Sequence, residues 1–248
     1  MSKLIGNQII EINTVDSTNN YAAKLLNQTK IPFGTVIMAL FQSEGKGQRN
    51  ASWQSSSGEN LLVSTLLNVK DLGSDNIYYL SKAVALAVRF CIVDFLNKDA
   101  KIKWPNDVLV DGEKIAGVLI ENKWKNQNLH SSVVGVGINV NQFDFPLPFS
   151  ATSLALCLNK KLEVSEVLES WCKWMNLYFG YLLDREFVLI DRTYHQHLIN
   201  MDNWAQFVVD DHSFTAKTIG VNPQGQLILK LKDGQEKLFN LKEIRQIV

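Results

Sequence analysis

The chain has 248 residues, of which 46% are hydrophobic and 20% charged. Its 25 Lys plus Arg balance 25 Asp plus Glu, giving a formal net charge of zero. This composition excludes a disordered chain, and the lack of a basic excess weighs against a dedicated nucleic-acid binder. Cys91, Cys157 and Cys172 form no C-x-x-C pair and read as buried thiols of a reducing cytoplasm. Arg89 and Asp94 interrupt the most apolar stretch, 83–96, so no membrane span is expected, and the first ten residues lack the pattern of a secretion signal.

In chain order, 9–12 is β-rich, and Asp16 or Ser17 can cap a helix with apolar positions Tyr21, Ala22, Leu25 and Leu26. Residues 34–41 predict a buried strand. A polar loop over 42–60 follows, and a loop of that length inside a compact domain is more often functional than accidental. A strand at 61–67 and a long amphipathic helix at 76–96 come next. Strands at 101–104, 108–110, 114–121 and 132–140 form a meander. Helices are expected at 152–158, 165–183 and 186–198, with Trp171, Trp174, Tyr178 and Tyr181 at core spacing. His195 and His197, two apart on a helix, make a poor metal pair, and no zinc spacing occurs. After Leu198 come five short strands with turns at 222–225 and 232–234, the pattern of a small barrel. The expected division is 1–198 and 199–248.

Four segments could carry chemistry. In the loop QSEGKGQRNASW, Gly45 and Gly47 flank Lys46, so the backbone can approach an anion closely while Lys46 and Arg49 supply charge. From the spacing alone, a solvated loop anchored by Trp53 is the plainer reading. Pro105-Asn106-Asp107 is a turn that aims two polar side chains, or a plain β-turn. In 114–121, strict alternation places Lys114, Ala116, Val118 and Ile120 on one face. Lys114 then either snorkels or stands at a pocket rim, with small Ala116 and Gly117 leaving room for a ligand. In 134–140, the valines and isoleucine face the core, while Gly135, Gly137 and Asn139 leave the other face nearly bare. Either another backbone packs there, or a flat ligand lies on it with Asn139 at its edge.

Together and in this order, S-T-N at 17–19, Gln42 followed by GKGQRNASW, KWPND, DGEKIAGVLIE and VGVGINVN resemble the motifs of biotin–protein ligases, and the C-terminal stretch is similar to that family's SH3-like domain. The resemblance covers essentially the whole chain. It implies an α+β fold: a mixed β-sheet catalytic domain flanked by helices, of the class II synthetase-like kind, with a small SH3-like β-barrel.

The resemblance implies that biotin and Mg-ATP give biotinyl-5′-adenylate, and that a lysine of a biotin carboxyl carrier protein then takes the acyl group. Biotin-binding residues would be Ser17, Thr18, Asn19, Gln42, Gly45, Lys46, Gly47, Gln48, Lys114 and Gly117. Nucleotide contacts would come from Lys46, Arg49, Trp53, Asn106, Gly135, Gly137 and Asn139. Catalytic roles fall to Lys114, Asp107 and Arg49, with Asp107 orienting the incoming amine, and no metal site of the chain's own is expected. Two departures stand out. The commonest loop of the family has arginine where this chain has Gln48 and glycine where it has Asn50. Some members also carry an N-terminal DNA-binding domain, for which the 16 residues before Ser17 leave no room, so neither DNA binding nor membrane attachment is expected. A homodimer is compatible with the sequence. The rival readings are a lipoate– or octanoate–protein ligase or transferase on the same fold, and a non-catalytic adenylate-binding regulator.

Overall fold

The computed structural model describes residues 4–28, 31–48, 51–146 and 150–247. Strand β1 (Ile9–Val15), helix α1 (Thr18–Gln28) and strands β2 (Val36–Gln42) and β3 (Asn60–Asn68) are followed by the long helix α2 (Ile77–Phe95). Strands β4 (Lys101–Lys103), β5 (Asp107–Val110), β6 (Glu113–Lys125) and β7 (Asn128–Asn139) complete a seven-stranded sheet of order β1-β2-β3-β7-β6-β5-β4. The β1–β2 pair is parallel, joined through α1; the other neighbours are antiparallel. The mixed sheet and the chain order of its strands match the expectation.

The central strand β3 is buried along nearly its whole length because both faces of the sheet are covered. On one face Leu66 meets Ala22, Ile37 and Val133 beneath α1. On the other, Leu61, Val63 and Leu67 join a larger core with α2, α4 (Val164–Leu183) and α5 (Phe187–His197). Helix α3 (Leu154–Leu158) is short, with Ser153 Oγ capping it by accepting from Leu156 N. Residues 74–95 are long and apolar enough by length and composition to cross a bilayer, but here they are mostly buried and contain the core helix α2. Their charges are met inside the protein. Arg89 pairs with Asp99 at 2.5 Å, and Asp94 accepts from Ser170, Lys173 and Trp174.

The β6–β7 hairpin runs further than its apolar pattern suggests. Its tip is a two-residue turn with Asn126 and Gln127 at φ 49° and 64°, the left-handed pair that suits right-twisted strands. The last quarter forms β8 (Trp204–Val209), β9 (His212–Val221), β10 (Leu227–Leu231), β11 (Glu236–Phe239) and β12 (Arg245–Gln246), an antiparallel five-stranded sheet of order β11-β10-β9-β8-β12. Phe207, Ala216, Val221, Leu227 and Leu229 of this sheet belong to the same continuous core as α2 and α5.

Candidate active site

A one-residue irregularity in β6 builds the site. Asp107 pairs with Gly117 and Val108 with Ala116, but Leu109 pairs with Lys114, so Ile115 is the extra residue of a β-bulge. A bulge re-aims side chains. Here it sends Ile115 and Ala116 into the core, both fully buried, and turns Lys114 to the side of Gly117. The strict alternation read from the sequence therefore fails at this point: Lys114 does not share the face of Ala116, and Ala116 opens no room for a ligand. Its ammonium instead reaches Asp107, with Nζ 2.7 Å from Oδ1, too far off axis for a hydrogen bond. Both partners are partly open to solvent.

Around this pair lies a cavity of about 230 Å³. One end is polar. Gln42 Oε1 accepts from Thr18 N at 2.8 Å and from Thr18 Oγ1 at 3.0 Å. The Ser64 hydroxyl stands 2.8 Å from Thr18 Oγ1 and 2.6 Å from Asn19 Oδ1. Asn19 Nδ2 donates to Glu121 Oε2 at 2.7 Å. This network uses the carbonyl end of Gln42 and both ends of Asn19; Gln42 Nε2 stands 3.2 Å from where a Cβ of Gly45 would be, and Ser17 and Gln42 both line the cavity. Asn19 thus braces its neighbours instead of offering its amide to a ligand. Ser64 was not among the residues picked from the sequence. The signal available for it was a polar residue inside the apolar run LLVSTLL.

The glycine-rich loop folds back as a small hairpin. Gly47 N donates to Ala51 O at 2.7 Å and Trp53 N to Gly45 O at 2.8 Å. Gly45 faces the returning strand too closely for a Cβ, which would stand 2.4 Å from Trp53 O, while one at Gly47 would stand 3.2 Å from Ala51 O; Gly45 itself lies outside the cavity wall. Lys46 Nζ donates to Asn20 Oδ1 at 2.6 Å, and Asn20 Nδ2 to Asp16. That second bond, more than any other contact, holds the Asp16 carboxyl below its ordinary range. Gln48 lines the cavity; Arg49 and Asn50 lie outside the described residues.

The hairpin ends by laying Trp53 over the bare sheet face. A Cβ at Gly137 would stand 2.5 Å from the indole, one at Gly117 would stand 3.0 Å from it, and one at Gly135 would stand 2.4 Å from Asn19 Oδ1. Close packing of the chain's own side chains therefore explains the glycine face, although Gly135 and Gly137 also line the cavity. The Trp53 indole N–H is buried and has no partner among the described residues. Asn139 is off the cavity wall. Its amide donates to Thr152 O at 2.9 Å and approaches Lys114 O at 3.5 Å, so it holds the strand that carries Lys114 and is not free for a ligand. Asn106 donates to Val118 O at 2.9 Å, fixing the turn that presents Asp107.

A second cleft of about 290 Å³ adjoins the first across Gln48, Asn106 and Asp107, and Lys103, Lys242 and Arg245 stand on it. Burial lowers the Lys103 pKa, reinforced by the neighbouring Lys114 and Arg245 charges and opposed by Asp107. Among the described residues no cluster of three or more His, Cys, Asp or Glu side chains could hold a metal ion.

The family described as "Biotin/lipoate A/B protein ligase family" matches residues 11–139. The bifunctional ligase/repressor BirA of Bacillus subtilis is 27% identical over 243 residues, covering 96% of this chain and 74% of that protein. The biotin–[acetyl-CoA-carboxylase] ligase of Paracoccus denitrificans is 32% identical over 126 residues, about half of each chain (50% and 51%). The solved biotin protein ligase of Aquifex aeolicus, in complex with biotin and ATP, superposes with TM-score 0.80 at 25% identity over 97% of this chain and 100% of that one.

Proposed function

The chain belongs to the biotin/lipoate A/B protein ligase family, and we propose that it is an ATP-dependent ligase joining biotin to a lysine of a biotin carboxyl carrier protein through biotinyl-5′-AMP. The observation that carries this reading is the bulge that brings Lys114 to Asp107 at the wall of one cavity, between a neutral polar end and a glycine-bracketed loop.

The polar end suits the ureido group of biotin. It offers polar groups of Ser17 and Gln42, with no charge to bury, while the Trp53 ring supplies apolar wall for the rings. In the first step a biotin carboxylate oxygen attacks the α-phosphorus and the bond to pyrophosphate breaks. Negative charge grows on the phosphoryl oxygens, and the Lys114 ammonium is placed to meet it. The cationic cleft of Lys103, Lys242 and Arg245 supports a position for the departing phosphates, and the unpartnered Trp53 N–H supports a contact to the nucleotide. Lys46 and Arg49 are our further candidates for phosphate oxygens. Mg²⁺ would come with ATP, held largely by phosphate and water, and would neutralise phosphate charge; among the described residues Asp107 is the one carboxylate on the cavity wall.

In the second step the carrier lysine nitrogen attacks the acyl carbon, the acyl–oxygen bond to AMP breaks, and the amine gives up a proton. A free lysine is neutral only about once in 2,500 at pH 7. Asp107, on the cavity wall beside Lys114, can orient that amine, and we assign it that role. We propose the division into 1–198 and 199–248, supported by the end of α5 at His197 and the start of β8 at Trp204. The test is incubation with biotin, Mg-ATP and a carrier domain, reading the mass of the carrier. A biotin adduct that requires ATP is expected. Modification with lipoate and not with biotin would transfer the assignment to the lipoate branch.

A further inference from the structure

We infer that the turn Val221–Gly225 of the C-terminal sheet is a positioning element of the active site: by gripping Trp104 it sets the aim of Asp107. The inference rests on the ligase reading above.

Trp104 is buried, and its indole Nε1 donates to Gly225 O at 3.0 Å. Three residues on, Asp107 faces Lys114, so a turn of only Pro105 and Asn106 separates the gripped ring from the site carboxylate. The grip has little play. Gly225 lies flat on the ring of Tyr78, where a Cβ would stand 2.4 Å from a ring carbon, and its φ of +89° suits glycine. Asn222 braces the turn from within, accepting from Gln224 N and Gln226 N and, through its carbonyl, from Gly225 N.

The other end of the turn is fastened at Val221. Lys82 is fully buried in α2, and its ammonium donates to Val221 O at 2.7 Å and pairs with Asp191 at 2.5 Å. His195 Nε2 accepts from Val221 N at 2.9 Å. A buried cation is costly unless it is paired and hydrogen-bonded. Here the partners come from α5 and the C-terminal sheet, so the ammonium is satisfied only when the turn is seated. None of these groups lines the cavity itself. They tie two sheets and two helices to the short turn that carries Asp107.

The experiment forms the adenylate on the enzyme from biotin and Mg-ATP, then compares its capture by a carrier-domain lysine with its capture by hydroxylamine. Hydroxylamine is small and needs no aiming, and the ratio of the two rates does not depend on the fraction of enzyme folded. Trp104→Phe keeps a ring and removes the N–H. It should lower the carrier-to-hydroxylamine ratio about tenfold with KM for biotin unchanged, since displacement of about 1 Å can cost about 100-fold. His195→Leu should lower the ratio by about threefold, and His195→Gln, which can still accept from Val221 N, should restore it. An unchanged ratio in Trp104→Phe overturns the inference; if that variant does not fold, an unchanged ratio in His195→Leu overturns it. Wild-type protein that forms no adenylate from biotin brings down the ligase reading, and this inference with it.

Discussion

The indole of Trp53 rests on the bare backbone of Gly137, so close that a Cβ there would lie 2.5 Å from the ring. The ring is therefore seated only while position 137 lacks a side chain. Gly137→Ala should dislodge Trp53, raise KM for ATP at least tenfold, and destabilise the fold by about 1–3 kcal/mol, the usual cost of overpacking. Tryptophan fluorescence and steady-state kinetics on the same sample check both effects. An unmoved spectrum with unaltered KM would show that the seat is not needed.

The Lys114 side chain is partly exposed, so its removal should spare the fold. Lys114→Ala should slow biotin-dependent pyrophosphate exchange by about 100- to 1,000-fold. Thermal melting should stay close to that of the wild type. Equal exchange rates in the two proteins would assign the stabilising charge to another residue.

Gln48 stands on the cavity wall, where the commonest loop of the resembled family has arginine. A neutral hydrogen bond is worth about 1 kcal/mol and a charge-assisted one about 1.5–3. Gln48→Arg should therefore lengthen the residence of biotinyl-adenylate by roughly 2- to 30-fold. Rapid filtration of labelled intermediate would measure it, and a shorter residence would contradict the expected contact.

Asn19 joins Ser64 to Glu121 above Gly135. Asn19→Ala leaves these groups without their shared partner and should cost about 1–3 kcal/mol of stability. It should also weaken biotin binding, because Ser64 and Thr18 hold Gln42 in place. Denaturant melts and biotin titration calorimetry address the two parts separately.

His195 and His197 both have pKa values lowered, first by burial and then by Lys82 and Arg89 respectively; Asp191 and Asp99 oppose the shifts. A lowered folded-state pKa means that the unfolded chain takes up protons more readily. Stability should therefore be full above the ordinary histidine value of about 6.5 and decline as the pH falls through it towards the lowered folded-state values. His195→Gln should flatten part of that decline. Melting temperatures between pH 8 and 5 give the comparison.

Much of the architecture was legible locally. Strand β7 could be read because its apolar side chains alternate with residues that carry almost none, and α2 because its apolar run fills a buried helix. The tip of the β6–β7 hairpin was not, since its polar residues continue the ladder through backbone bonds alone. Of the site, Ser17, Thr18, Gln42, Lys46, Gln48, Trp53, Asp107 and Lys114 could be chosen from motif order. The supporting role of Asn139 could not, because its partner Thr152 O is brought to it only by the loop leading into α3.

The sequence by itself determined the run of strands and helices, the glycine face and the polar groups around it, since these depend on spacing and residue type along short stretches; the mixed sheet followed from the order of its motifs, through their resemblance to a known family. Only the tertiary structure decided where those groups point. A single unpaired residue at Ile115 reverses the side of Lys114, and the turn at Gly225 grips Trp104 from 121 residues away. Bulges and long-range contacts of that kind leave no periodic trace, because they are settled by what packs against a strand and not by the strand.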